Sequence, residues 1–266
     1  MTSGMRILLK ARDVTDLANN APPLDLDAFD RYLRAGGHEH VLSFKNFKAL
    51  VGPATDKDEF LRRITPATQA FVRLPHIYLR LVRRIELEEA AAAFVEGREY
   101  RPCDVFTGRF QLSHLSLLRP DLDRQITRDF WQGRLRYRQT PPLRYFHKSV
   151  AQLAQSSDMN VPRFSQFVEW LYQNPDRCPG FQLHHEAEKA LLASYDISNA
   201  SDSDLLDTVD DLPHALALPY VDAATFDDTL RQCCTLAAQA LMARGLHTNL
   251  EPRLYPNLST LMAQNP

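Results

Sequence analysis

An acid-rich stretch near the end of the chain carries the side chains best suited to chemistry. Seven aspartates fall within residues 204–228, namely Asp204, Asp207, Asp210, Asp211, Asp222, Asp227 and Asp228. Carboxylate oxygens are the ligands that Mg²⁺ and Mn²⁺ prefer, and a metal-bound water is a strong nucleophile. Acids that neighbouring elements bring together would therefore hold a divalent cation. The structural alternative is that these aspartates are helix N-caps and loop acids.

The elements that carry these acids are predicted from the apolar residues between them. Leu216, Leu218, Tyr220 and Val221 form an apolar block between the acids. We predict a short helix from His214 to Leu218, with His214 facing the core, and a strand from Tyr220 to Thr225. Asp227 and Asp228 would then follow the carboxyl end of that strand. Ligands of open parallel sheets bind in the crevice beyond such strand ends.

The rest of the chain predicts an α/β fold with a central parallel sheet flanked by helices. The pattern indicates strands at Arg6–Leu9, His40–Phe44 and Leu246–Leu250, and helices at Asp25–Ala35, Asn46–Val51 and Thr229–Arg244. Residues 56–200 are rich in helical patterns and show no clear strand. We therefore predict an α/β core of residues 1–55 and 201–266, with 56–200 as a large helical insertion or a helical subdomain.

Composition is that of an ordinary globular protein. The chain is 44% hydrophobic and 24% charged, and its formal net charge of −2 gives no global reason to expect nucleic acid or a membrane surface as partner. Its four cysteines show no zinc-like C-x-x-C spacing, and no run of apolar residues is long enough to span a bilayer. We expect a cytoplasmic location.

Three segments at the two ends of the chain share an order of strands, turns and acids: 7–18, 41–51 and 211–227. In this order they resemble the PIN-like nuclease superfamily, specifically its bacterial versions with a long helical middle. The resemblance implies a PIN-like sheet and cleavage of RNA or DNA, in a toxin or phage-defence setting. It also implies Mg²⁺ or Mn²⁺ as cofactor, Asp211 and Asp227 as catalytic acids, and Asp222 and Asp228 as further metal ligands.

Two positions depart from the family pattern, which has an Asp at the position of Lys10 and a Glu at that of Ala49. An ammonium among carboxylates would take the place of the cation by ion pairing. This departure favours a second hypothesis, a non-catalytic PIN-like scaffold that binds a protein or nucleic acid. It predicts the Lys10 amine within about 3 Å of an Asp211 or Asp227 oxygen, as in charge-assisted hydrogen bonds. A third hypothesis is a mostly helical interaction protein without a parallel sheet.

An arginine-rich segment in the middle of the chain is the best candidate for nucleic-acid binding. Its basic residues, interleaved with aromatic ones, include Arg134, Arg136, Arg138, Arg144 and Lys148. Arginine pairs with phosphate in a bidentate manner, and aromatic rings stack on bases. The alternative is that these cations pair with the chain's own acids or with a protein partner.

Histidine and serine motifs give weaker signals. His184-His185-Glu186 and His38-Glu39-His40 lack the i, i+4 spacing of a helical metal site and are interpreted as surface polar residues. The sequence has neither a glycine-rich phosphate loop nor a G-x-S-x-G nucleophile turn. We therefore expect neither nucleotide hydrolysis nor acyl transfer.

Overall fold

A computed structural model describes residues 4–43, 45–47, 57–109, 146, 150, 161–194, 208, 211–246, 250 and 253–265. These residues form a six-stranded sheet of order β4-β3-β2-β1-β5-β6. The strands are β1 (Arg6–Leu8), β2 (Glu39–Leu42), β3 (His76–Leu79), β4 (Phe106–Thr107), β5 (Ala223–Thr225) and β6 (Leu254–Tyr255). The fold is therefore α/β, as predicted, and the hypothesis of a protein without a parallel sheet is wrong.

Strand β1 lies inside the sheet, and later strands of the chain are added on both sides of it. It pairs in parallel with β2 on one side and with β5 on the other, and β3 and β6 extend the parallel pairing. The edge strand β4 is antiparallel to β3. The order of the strands thus reverses between β1 and β5, and such a switch point opens a crevice at the carboxyl ends of the strands.

Helices cover both faces of the sheet. They are α1 (Ala11–Ala18), α2 (Leu26–Gly36), α3 (Lys57–Val72), α4 (Val82–Glu96), α5 (Val161–Gln173), α6 (Pro179–Ser194), α7 (Asp228–Met242) and α8 (Leu258–Gln264). Two 3₁₀ helices, Pro175–Arg177 and Leu212–Tyr220, complete the described elements. The start of α2 is capped by the Asp25 side chain, and its end by Gly37 in the left-handed conformation that glycine tolerates.

Two apolar cores lie on opposite faces of the sheet because successive strand residues point to opposite sides. Leu8, Val41 and Ala224 contribute to the core formed with α6, α7 and the long 3₁₀ helix. Ile7 and Leu42 contribute to the core formed with α1, α2 and α8. The sheet is thus buried between helical layers, which leaves the strand ends as the places where polar groups of the sheet can meet.

Several predicted element boundaries are corrected by the structure. Strands β3 and β4 lie within residues 56–200, so this segment contributes to the sheet as well as to the helices. The last strand is Leu254–Tyr255, whereas Leu246 has no regular structure. The helix predicted around His214 is a longer 3₁₀ helix, and strand β5 begins at Ala223.

Helices α4, α5 and α6 enclose a third apolar cluster, beside the sheet. Phe167, Leu171, Cys178 and Phe181 are among its buried members. This third cluster includes residues of α4, the helix that carries Glu86.

Within the described ranges, none of the helices combines the length and the apolar composition that crossing a membrane requires.

Candidate site at the carboxyl ends of the strands

Polar side chains converge where β1, β2 and β5 end, next to the switch point between β1 and β5. This position follows from the parallel pairing of the three strands, which brings their carboxyl ends to one edge of the sheet. We call the following residues the carboxyl-edge cluster: Lys10, Asp13, Ser43, Asp211, His214 and Asp227. The cluster contains both aspartates that the sequence suggested as catalytic.

Asp211 is buried, with 4% of its surface exposed, at the start of the long 3₁₀ helix. Its Oδ1 accepts a hydrogen bond of 2.9 Å from the backbone N–H of Ala11, the first residue of α1. The same oxygen lies 3.3 Å from Nδ1 of His214. Asp211 therefore joins β1 and α1 to the 3₁₀ helix and faces a histidine.

His214 reaches from the 3₁₀ helix to the end of β2. Its Nε2 lies 2.6 Å from Oγ of Ser43, the residue that follows β2, and both residues are buried. Ser43 Oγ also accepts a 3.1 Å hydrogen bond from the backbone N–H of Asn46, whose side-chain amide donates to the Leu9 carbonyl oxygen. The prediction that His214 faces the core is confirmed, with a hydroxyl rather than a carbonyl as its partner.

Asp227 is the N-cap of α7. Its Oδ1 accepts from the backbone N–H of Leu230 at 2.7 Å, and its Oδ2 accepts from the hydroxyl of Thr208 at 3.3 Å. Such a cap satisfies a backbone donor that the helix leaves unpaired. The neighbouring Asp228 is exposed and lies 3.3 Å from the guanidinium of Arg231. The N-cap interpretation of the sequence is thus confirmed for Asp227.

Lys10 lies at the end of β1 but does not pair with Asp211 or Asp227 in the described part of the chain. Its ammonium donates to the carbonyl oxygen of Pro256 at 2.6 Å, and its backbone N–H donates to the hydroxyl of Thr225 at 3.0 Å. The predicted contact of the Lys10 amine with Asp211 or Asp227 is therefore not observed among the described residues. Lys10 instead links β1 to the loop before α8.

Asp13, like Lys10, links the first strand and helix to the segment around the start of α8. It is buried, and its Oδ2 accepts from the backbone N–H of Leu258, the first residue of α8. Burial raises the pKa of Asp13, while the hydrogen bond from Thr225 and the charge of Lys10 oppose that increase. Asp13 and Lys10 together fasten the end of the chain to the first strand.

Asp222 lies at the opposite edge of the sheet from Asp227. It precedes β5, and its Oδ2 accepts from the backbone N–H of Arg6 at the start of β1, at 2.8 Å. Five residue steps through β5 and Phe226 separate the two aspartates by about 16 Å of extended backbone, at 3.3 Å per strand residue. The structure therefore does not bring Asp222 together with Asp211 and Asp227.

The described carboxylates fit poorly around a divalent cation. Mg²⁺ requires a near-octahedral set of oxygens at short distance. Asp211 Oδ1 and both oxygens of Asp227 already accept hydrogen bonds from protein donors. Among the described residues, no three His, Cys, Asp or Glu side chains are grouped so that they could hold a metal ion. The donor set matches helix capping better than metal coordination.

Several predicted residues lie outside the described ranges. They are Ala49, Asp204, Asp207, Asp210 and the arginine-rich residues Arg134, Arg136, Arg138, Arg144 and Lys148.

Two of the four histidines interpreted as surface residues are buried instead. His40 is 0% exposed between the rings of Phe29 and Phe71, and neither of its ring nitrogens has a hydrogen-bond partner among the described residues. Burial lowers the pKa of His40 to about 3. His185 is also buried. The short H-x-H and H-H patterns do not reveal this burial.

Glu86 is a further buried acid, in α4, and its partners lie in α6 and in the long 3₁₀ helix. Its two carboxylate oxygens accept from the backbone N–H groups of Gly180 and Phe181 at 2.8 and 2.7 Å, at the start of α6. The Tyr220 hydroxyl donates to the same carboxylate. Burial raises the pKa of Glu86 to about 7, although the three hydrogen bonds favour the ionised form. A glutamate within an alanine-rich helix gave no sequence signal for this role.

Comparisons with protein-family models, with curated proteins and with solved structures found no significant match to this chain.

Proposed function

We propose that this protein is a PIN-like scaffold that binds nucleic acid and does not cleave it with a metal ion. The observation that carries the proposal is that Asp211 and Asp227 accept hydrogen bonds at the starts of α1 and α7. These carboxylates stabilise the junctions of the sheet with its helices. The PIN-like relationship itself is supported by the three sequence segments and by a parallel α/β sheet.

A metal ion would have to displace contacts that already stabilise the fold. Removing an N-cap typically costs about 1 kcal/mol, and a buried donor left without an acceptor costs about 1–3 kcal/mol. The ammonium of Lys10 adds a positive charge at the end of β1, where it opposes the increase in the pKa of Asp13 that burial causes. Binding a second cation beside it is opposed by repulsion.

The arginine-rich segment supports nucleic acid as the partner. Arg134, Arg136 and Arg138 alternate with Leu135 and Tyr137 in the sequence. Guanidinium groups contact phosphates and stack on bases, and aromatic rings provide sequence-tolerant stacking. Because the net charge of the chain is −2, binding must rest on this local segment and should weaken as salt is raised.

Titration of Mn²⁺ into the pure protein by calorimetry tests the first half of the proposal. We expect no saturable heat of binding in the native protein. Asp211→Asn and Asp227→Asn serve as controls, because each keeps an oxygen that accepts the capping hydrogen bond. Saturable binding that both variants lose would contradict the proposal.

Fluorescence anisotropy with labelled single-stranded RNA and DNA tests the second half. The triple variant Arg134→Gln/Arg136→Gln/Arg138→Gln should weaken binding at least about tenfold, since each lost phosphate contact reduces the salt-dependent part of the affinity. A matched control removes three exposed arginines elsewhere, Arg12, Arg31 and Arg84. Equal losses in both triple variants would show that only net charge matters.

Metal-dependent cleavage of RNA or DNA is the second candidate function. It is favoured by the position of Asp211 and Asp227 at the carboxyl edge, beside the switch point where α/β proteins bind ligands. The calorimetric outcome described above would select it. Cleavage assays with and without a chelator would then follow on both nucleic acids.

A further inference from the structure

We propose that Ser43, His214 and Asp211 form a Ser–His–Asp relay in which Ser43 is a nucleophile toward small carboxylic esters. Ser43 Oγ is hydrogen-bonded to Nε2 of His214 at 2.6 Å, and Nδ1 of His214, which makes no hydrogen bond within the described residues, lies 3.3 Å from Oδ1 of Asp211. A nucleophile, a base in contact with it and a carboxylate that orients the base are the arrangement needed for acyl transfer.

The relay uses one of the two tautomers that the hydrogen bond between Ser43 and His214 allows. Ser43 Oγ accepts from the backbone N–H of Asn46 and keeps its own hydrogen to donate to His214 Nε2. With Nε2 unprotonated, the histidine proton resides on Nδ1, on the side of Asp211. This is the tautomer in which histidine acts as a general base toward the serine.

Asp211 is held beside His214 by the backbone N–H of Ala11, which donates to its Oδ1 at 2.9 Å. The same oxygen keeps a second lone pair with which to accept from Nδ1, 3.3 Å away. The 3.3 Å separation is of the kind that tightens when a positive charge develops on the imidazole, since such contacts are often long without substrate. Asp211 is thus a positioning residue that stabilises the charged histidine.

The position of the relay in the fold matches a reactive site. Ser43 directly follows β2 at the carboxyl edge of the parallel sheet, where α/β proteins bind their ligands. All three residues are at most 4% exposed, so little water surrounds them and an ester that reaches Ser43 must be small. If Ser43 only capped the helical turn at Asn46, its hydrogen bond with Asn46 would be sufficient, and the second contact with His214 would not be required.

The reaction is balanced with these residues and water. Ser43 Oγ forms a bond to the ester carbonyl carbon while its proton passes to His214 Nε2. The carbon–alkoxy bond then breaks, and His214 returns the proton to the leaving alcohol. Water, deprotonated by His214, attacks the acyl carbon, releases the carboxylic acid and restores the Ser43 hydroxyl.

Labelling with a small alkyl fluorophosphonate, followed by peptide mass spectrometry, tests the proposal on the native protein. We expect a single phosphonyl adduct on Ser43 and slow hydrolysis of p-nitrophenyl acetate. His214→Gln should reduce the labelling rate about 100-fold, the usual contribution of a general base. Ser194→Ala, which removes an exposed serine of α6, should leave labelling unchanged.

The pH dependence of labelling separates a reactive relay from a structural one. The pH profile of the labelling rate should differ between the native protein and the Asp211→Asn variant, which should also be at least about tenfold slower because it no longer stabilises the charged imidazole. Folding of each variant is checked by circular dichroism. Absence of an adduct on Ser43 of the folded native protein would overturn the proposal, whatever the metal titration shows.

Discussion

Replacing Glu86 by glutamine should change how the stability of the protein depends on pH. Glu86 is fully buried, and its pKa is raised from 4.5 to about 7 by burial. Between these values the folded chain holds a proton that the unfolded chain releases. The free energy of unfolding contributed by Glu86 is therefore complete below pH 4.5 and is lost as the pH rises through 7.

The size of the effect follows from the pKa difference. One pH unit within the window is worth about 1.4 kcal/mol, so native stability should fall by about 3 kcal/mol relative to Glu86→Gln between pH 4.5 and 8. The neighbouring titratable groups stay neutral through the window, because burial raises the pKa values of Tyr100, Cys103, Cys178 and Tyr220. They add no slope of their own.

Urea denaturation at pH 4.5, 6, 7 and 8 measures the difference between the two proteins. Glutamine has a single acceptor oxygen for the donors of Gly180, Phe181 and Tyr220, so the variant also carries a penalty of about 1–3 kcal/mol at every pH. The informative quantity is the change of the difference with pH. A difference that stays constant within about 0.5 kcal/mol would refute a protonated Glu86.

Three further predictions concern other buried or capping groups. His40 has its pKa lowered to about 3, so native stability should fall by about 1.4 kcal/mol per unit as the pH drops below 6.5; His40→Phe should abolish that fall in urea titrations at pH 5 and 6. Asp227→Ala should lower stability by about 1 kcal/mol through loss of the α7 cap; a thermal melt that shifts equally in Asp228→Ala would contradict this. Lys10→Met removes the bond to the Pro256 carbonyl and should cost about 1 kcal/mol in denaturant titrations; an unchanged midpoint would rule out the link.

The fold class could be predicted because the terminal strands are bounded by clear turn and cap signals. Asp25 and Gly37 delimit α2 in both sequence and structure. Strand β3 was missed because Leu74, Ile77, Tyr78 and Leu81 recur at helical spacing, which masks a four-residue strand. The two-residue β6 is too short to give any period. Pairing with neighbouring strands, which no local pattern encodes, determines both elements.

The candidate site was predicted in part, and the reason lies in sequence distance. The position of Asp227 beyond a strand end followed from the apolar run before it, whereas Asp211 was suggested by the family resemblance. The partners of Asp211 are Ala11 and His214, and Ser43 meets His214 from 171 positions away. Contacts of that separation depend on the register of β1 with β2 and β5, which only the assembled sheet determines.

Four acids share one physical role, because each accepts a hydrogen bond at the start of a helix. Asp211 does so for α1, Asp227 for α7, Asp13 for α8 and Glu86 for α6. A carboxylate at a helix N-terminus satisfies unpaired N–H groups and faces the positive end of the helix dipole. Three of these four acids join segments more than ninety residues apart. Clustered aspartates in an α/β sequence can therefore mark helix junctions, and at one such junction the carboxylate of Asp211 also lies 3.3 Å from a histidine that is hydrogen-bonded to a serine.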